Sequence, residues 1–304
     1  MRIARIARIV GLGALLCFPP VGSAAGRTPA PAKPVALVYS LAGEAALTVP
    51  VEARRPLRLF DRLVAGSTLE VSLGARLALA FANGRRYELG GGSKATLGRV
   101  DLSSRSGPVR SLPAVPPLPC LLPIAEEEQP GLGAGAIRIR AERIAGLYPR
   151  GGAATLAGAT TLRFEPVAGG GKYQVEVQDR QGSVVFSTET TVPVVNPGRV
   201  LEPGVRYDWT VRTLERVGPV ATGQADFVTL TAEEARKREA LRKAVEAAGD
   251  GATLALLAEV DRRLGLLIEA RDELQVAVRE SPGDSALAEA LATLERHLRY
   301  FQSP

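Results

Sequence analysis

Pro56-Leu57, Phe60-Asp61-Arg62-Leu63, Gly66-Ser67-Thr68-Leu69-Glu70-Val71, Gly74-Ala75-Arg76-Leu77-Ala78-Leu79-Ala80-Phe81, Asn83-Gly84 and Tyr87-Glu88-Leu89 follow one another within residues 54–97. Leu69, Val71 and Leu73 alternate with Glu70 and Ser72; Leu77, Leu79 and Phe81 alternate with Arg76, Ala78 and Ala80. Period-two alternation turns one strand face to a core and the other to solvent. Asn83-Gly84 is the dipeptide favoured in type I′ hairpins, so Leu77–Phe81 is expected to pair with Arg86–Leu89. Gly90–Gly92 lets the chain turn before Ala95 and Leu97. Upstream, Val35–Tyr39 and Ala45–Val51 are rich in strand formers and flank the turn signal Gly43-Glu44.

In this order the strands and glycine turns of residues 35–100 resemble the FecR-type domain of bacterial envelope proteins. The resemblance implies a small β-domain that binds and signals and does not catalyse. Signalling members of that family carry a cytoplasmic anti-sigma segment and a membrane span ahead of the domain. Here the N-terminus reads differently. Arg2, Arg5 and Arg8 form a positive region, Ile9–Phe18 an apolar one, and Ser23-Ala24-Ala25 a small-residue cleavage site. Residues 1–25 are therefore read as an export signal, which places the product in the periplasm or outside the cell. Leu16, rather than a small residue, precedes Cys17, which argues against a lipoprotein. Every later apolar run is interrupted too soon to span a bilayer.

Three of the 38 Lys and Arg lie in the signal, leaving 35 against 32 acids. That mild excess gives no support for nucleic acid as a partner. With Cys17 removed alongside the signal, Cys120 has no intramolecular partner, and stability rests on packed cores rather than disulfides.

Residues 26–34 carry Pro29, Pro31 and Pro34 and read as a disordered lead. Residues 101–135 hold seven prolines and the acidic run Glu126-Glu127-Glu128 and read as a linker. Ile137, Ile139 and Ala141 alternate with charged residues and open a second β-unit. It continues through Leu162–Pro166, Tyr173–Val177, Val184–Phe186 and Tyr207–Val211, a spacing that predicts a sandwich. The run Leu201–Val211 resembles the fibronectin type III pattern, assigning residues 136–230 to such a domain.

At Thr231 the period switches to a helical one. Thr231-Ala232-Glu233-Glu234 matches a capping box, and Gly249-Asp250-Gly251 ends the helix it starts. Further helices are expected at about 252–264, 267–280 and 285–300, the last capped by Asp284 and carrying a Leu287, Leu291, Leu294, Leu298 stripe. The middle pair resembles a tetratricopeptide repeat, with Leu254, Leu257 and Ala258 in its first helix, Gly265 at the bend, Ala270, Leu274 and Ala277 in its second, and Pro282 at the exit. Asp261 departs from that pattern, which places an aromatic there. A single repeat leaves a face to cover, by the helix from Ala232 or by a partner.

Candidate chemistry is sparse. His297 is the only histidine, which removes most nucleophilic and metal constellations, and no cofactor or metal site is expected. Asp61, Asp179 and Asp208 adjoin turns or strand starts, where Asp bonds its own backbone. Gly90-Gly91-Gly92-Ser93-Lys94 lacks phosphate-loop spacing, and Tyr207 and Trp209 share one strand face and read as core. Arg54, Arg55, Arg58, Arg62, Arg85 and Arg86 give the first domain a basic surface suited to an anionic envelope polymer or an acidic protein.

The sequence thus predicts a mainly β chain followed by α: a small FecR-like β-domain, a fibronectin-like β-sandwich and C-terminal helical hairpins over 231–304. The function expected is that of an exported, non-enzymatic binding or scaffold protein of the cell envelope, with the helical tail docking an envelope protein. The alternatives are a FecR-like regulator of envelope signalling and an envelope hydrolase of unrecognised type.

Overall fold

The computed structural model describes residues 33–50, 53–118, 142–197, 201–216 and 220–302. The expected export signal, Cys17, Cys120, Glu126–Glu128 and the Ile137–Ala141 strand lie outside them, as does nearly all of the 26–34 lead.

The first β-module runs through β1 (Pro34–Ala42), β2 (Ala45–Thr48), β3 (Arg55–Pro56), β4 (Arg62–Val64), β5 (Thr68–Val71), β6 (Arg76–Phe81), β7 (Arg86–Leu89), β8 (Lys94–Leu97), β9 (Leu102–Ser106) and β10 (Val109–Leu112). They form two five-stranded sheets, β10-β7-β6-β1-β4 and β3-β2-β5-β8-β9. Ala36, Val38, Leu77, Leu79, Phe81 and Leu89 of the first sheet meet Ala45, Leu47, Leu69, Val71, Ala95 and Leu97 of the second in one core. These are the alternating residues that the strand pattern selects, except Leu73, which lies past the end of β5 and is 90% exposed.

Two features differ from expectation. Residues 102–112, read as linker, are the edge strands β9 and β10, which pair with β8 and β7. Their exposed Leu-Ser-Ser-Arg-Ser and Val-Arg-Ser-Leu sequences bury little, so no apolar alternation marks them. The β6–β7 turn is not type I′. Phe60 is the only non-glycine at positive φ among the described residues, so Asn83 is not left-handed. Instead Gly84 takes φ +87°, its N–H donates to the Phe81 carbonyl at 2.9 Å, and Asn83 Oδ1 accepts from the Arg85 N–H. This is a turn closed by a glycine bulge, a common three-residue alternative.

The second β-module contains β11 (Glu142–Arg143), β12 (Ala153–Thr155), β13 (Leu162–Arg163), β14 (Gly170–Gln178), β15 (Val184–Thr190), β16 (Val194–Val195), β17 (Arg206–Arg216) and β18 (Ala221–Thr229). One sheet runs β11-β18-β17-β14-β15, with β12 also paired to β18, and the β13-β16 pair covers its apolar face. Trp209 and Tyr207 lie in the core between them, as their shared strand face predicts. Trp209 Nε1 donates to the Pro149 carbonyl at 2.8 Å, the Glu202 N–H donates to the Tyr207 hydroxyl at 2.9 Å, and Tyr207 stacks on Phe227.

Four helices follow: α1 (Ala232–Ala248), α2 (Gly251–Leu264), α3 (Leu267–Glu280) and α4 (Ser285–Gln302). The Thr231–Glu234 capping box is complete, and Asp284 Oδ1 accepts from the Ala286 and Leu287 N–H groups. Gly249 and Gly265 end α1 and α2 in the left-handed conformation that an L side chain resists. The helices are not a free tail. Leu241 and Val245 of α1 and Leu256, Leu257 and Val260 of α2 pack on Leu37, Tyr39, Ala78 and Ala80, the outward face of the β1/β6 sheet. Ala154 of β12 packs on Leu266, and Tyr148 and Ala153 join the α2–α3–α4 core. Among the described residues no helix is long and apolar enough to cross a membrane.

Candidate functional site

The segment Leu57–Asp61, between β3 and β4, is held by its own backbone. The Phe60 N–H donates to the Val38 carbonyl at 2.9 Å and the Val38 N–H to the Asp61 carbonyl at 3.0 Å. Asp61 Oδ2 accepts from the Arg58 N–H at 2.9 Å and from Arg55 at 2.6 Å. This scaffold keeps Phe60 at φ +66°, a conformation that costs a non-glycine residue about 1–2 kcal/mol. The return is contact: Phe60 packs against both the α1/α2 cluster on the sheet and the α2–α4 cluster.

Opposite this strap, α2, α3 and α4 complete a groove of about 850 Å³. Its apolar lining includes Leu59, Phe60, Leu267, Leu274 and Leu294, and Arg58, Glu289, Thr293 and His297 supply polar groups. Glu259, buried in α2, also lines it and is bound by Arg262 at 2.7 Å and Arg263 at 2.5 Å.

The six arginines that the sequence singles out separate in space. Arg54 pairs with Glu70 at 2.9 Å, Arg55 with Asp61, and Arg85 with Asp101 at 3.9 Å. Arg58 and Arg62 are exposed and make no ion pair among the described residues, and only Arg58 lines the groove. Arg86 is not on the surface at all: it is 4 % exposed, its Nε donates to the Pro113 carbonyl at 2.7 Å, and its guanidinium donates to Thr253 Oγ1 of α2 at 2.8 Å. Strand alternation puts Arg86 on the outward face, but the helices cover that face. Acidic residues 6 to 16 positions away pair with three of the remaining five.

A second charged constellation escapes sequence reading, because its members come from three helices. Arg238 of α1 binds both oxygens of Asp261 on α2, at 3.0, 3.0 and 2.5 Å, and reaches Glu273 Oε1 of α3 at 3.2 Å. Glu269 faces the same cluster. Burial, then the Asp261 charge, pushes the Glu273 carboxyl up to about 9, and burial raises Glu269 as well. Asp261 holds the guanidinium from both oxygens, so Glu273 is the carboxyl that keeps a proton. Asp261 at the place of an expected aromatic is the one visible trace of this cluster in the sequence.

Asp179 Oδ1 accepts from the Gln181 and Ser183 N–H groups, the turn role expected of it, and Ser93 of the glycine run is buried and donates to the Pro108 carbonyl. Among the described residues no group of three or more His, Cys, Asp and Glu is placed to hold a metal ion.

No protein-family model and no curated protein matches the chain. Among solved structures it is weakly similar to CopC from Methylosinus trichosporium OB3b, at 20% identity over 29% of this chain and 93% of that one, with a TM-score of 0.24. It is also weakly similar to the FN1–FN3 domains of chicken CNTN1, at 10% identity over 62% of this chain and 53% of that one, with a TM-score of 0.22. A β-D-glucuronidase from Dictyoglomus thermophilum overlaps at 12% identity over 63% of this chain and 43% of that one, with a TM-score of 0.19. The chain thus spans about half of the CNTN1 fragment and less than half of the glucuronidase, and likeness this slight carries no function across.

Proposed function

We propose that the chain is an exported, non-enzymatic binding protein of the bacterial cell envelope, built from a FecR-like β-domain, a fibronectin-like sandwich and a tetratricopeptide-like helical layer. Its ligand is a short segment of a partner protein that inserts apolar side chains between the Leu57–Phe60 strap and α2–α4 and sets an acidic residue against Arg58. The observation that carries this reading is the groove itself. Its walls come from two modules, its lining is mostly leucine, alanine and phenylalanine, and Arg58 stands in it with no acid paired to it among the described residues. Concave apolar sites with a few polar groups are the usual form of a recognition site. The neutralised state of Arg54, Arg55 and Arg85 favours a protein segment over an anionic polymer.

The test is a pull-down from envelope extract with the full-length mature chain, run beside Arg58→Glu and Thr293→Glu, which alter exposed groove positions. Loss of the same partner from both variants is expected, with circular dichroism unchanged. Identical partner sets would refute docking in the groove, and turnover of peptidoglycan or glycan by the purified protein would refute the non-enzymatic reading.

A further inference from the structure

Among the described residues two arginines are more than nine-tenths buried, Arg86 and Arg238. Removing a guanidinium from water is costly unless an anion compensates it. Arg238 has two carboxylates within 3.2 Å. Arg86 has none within ion-pair distance: it donates to the neutral Pro113 carbonyl and Thr253 hydroxyl, and the neutral Tyr39 hydroxyl also accepts from it. One buried cation in the same molecule is compensated and the other is not.

The uncompensated one lines a cavity of about 500 Å³, between the outward face of the β10-β7-β6-β1 strands and the α1–α2 junction. Tyr39, Arg76, Glu88, Arg110 and Asp250 share the lining. Both acids are already committed: Glu88 is held by Arg110 at 2.9 Å, and Asp250 Oδ1 accepts from Thr253 N and Oγ1 at 2.6 Å as the cap of α2. Three guanidiniums against two carboxylates leave one positive charge. Guanidinium forks match the paired oxygens of phosphate and carboxylate groups.

We propose that this cavity binds a small oxyanion, a phosphate or carboxylate group, anchored by Arg86 and closed at the mouth by Arg76 and Arg110. The Tyr39 hydroxyl, beside Arg86, is a further donor: burial holds its proton to about 12, so it donates across the physiological range. The cavity is separate from the strap groove, and its occupancy does not depend on the partner proposed there.

The full-length mature protein is titrated by calorimetry and thermal unfolding with inorganic phosphate and, separately, with sodium acetate, chloride holding ionic strength constant. Saturable binding of at least one probe is expected, weakened at least tenfold by Arg76→Ala or Arg110→Ala and abolished by Arg86→Gln. Phosphate alone would assign a phosphate group, and acetate alone a carboxylate. Should Arg86→Gln fail to fold, the two exposed arginines, which bear no core contact, still decide the matter. Equal affinity in both of those variants, or no saturable binding of either probe, would overturn the proposal.

Discussion

Replacing Glu273 with Gln tests the buried charge cluster through its pH dependence. The side chain keeps its shape and its reach to Arg238 and Asp261 but can no longer ionise. In the unfolded wild-type chain Glu273 titrates near its ordinary 4.5, whereas burial and the Asp261 charge hold it near 9 in the fold. The folded value is the higher one. The group's contribution is therefore complete below about pH 4.5 and is lost as pH rises toward 9. Each pH unit in that window is worth about 1.4 kcal/mol, so wild type should lose about 3 kcal/mol relative to Glu273→Gln between pH 5.5 and 8. Urea unfolding of both proteins at several pH values, followed by helical circular dichroism, measures the difference. The variant's advantage should grow steadily with pH. A difference independent of pH, or one that shrinks as pH rises, would mean that Glu273 is ionised in the fold and that the proton assignment is wrong.

Removing the cation instead should be damaging at every pH: Arg238→Met leaves Asp261 buried and unpaired and should cost about 3–5 kcal/mol in urea unfolding, whereas Arg238→Met with Asp261→Leu should recover most of it. Gly84→Ala should destabilise by about 2 kcal/mol or more, since φ is +87° and a Cβ would lie 1.8 Å from the Val115 carbonyl oxygen. Phe60→Ala and Phe60→Gly both lose the aromatic contacts of the strap, but the glycine variant should be the more stable by about 1 kcal/mol in the same assay, because only it relieves the left-handed strain.

Much of this fold is legible because its code is local. The Leu77, Leu79, Phe81 alternation, the Thr231 capping box and the Gly265 bend each need only a few neighbouring residues to be read, and each appears where expected. Edge strands β9 and β10 are illegible for the opposite reason: they are exposed, polar and held by ladder bonds that any sequence can make. The candidate sites depend on distance. Arg86 looks like its neighbour Arg85 in sequence, yet one is buried against Thr253 and the other lies outside near Asp101. Nothing in the residues around Arg85-Arg86 tells the two apart, because the contact that buries Arg86 is made across 167 residues.

One signal of that long-range contact is nonetheless present. In β6 the residues between the core leucines are Arg76, Ala78 and Ala80, and in β1 Leu37 and Tyr39 interleave with Ala36 and Val38. A strand with one solvated face would carry polar residues there; apolar residues on both faces mark a sheet covered on both sides. Alanine at 78 and 80 adds detail, since small side chains let α1 and α2 approach the strands closely. Cutting the chain near Leu230 would therefore do more than remove a docking element. It would bare Leu37 and Tyr39, each worth about 1.5–3 kcal/mol of burial, and strand Arg86 without Thr253. Loss of a partner on such truncation would follow from damage to the β-module alone, so the helical layer's part in binding must be read from point changes in the groove.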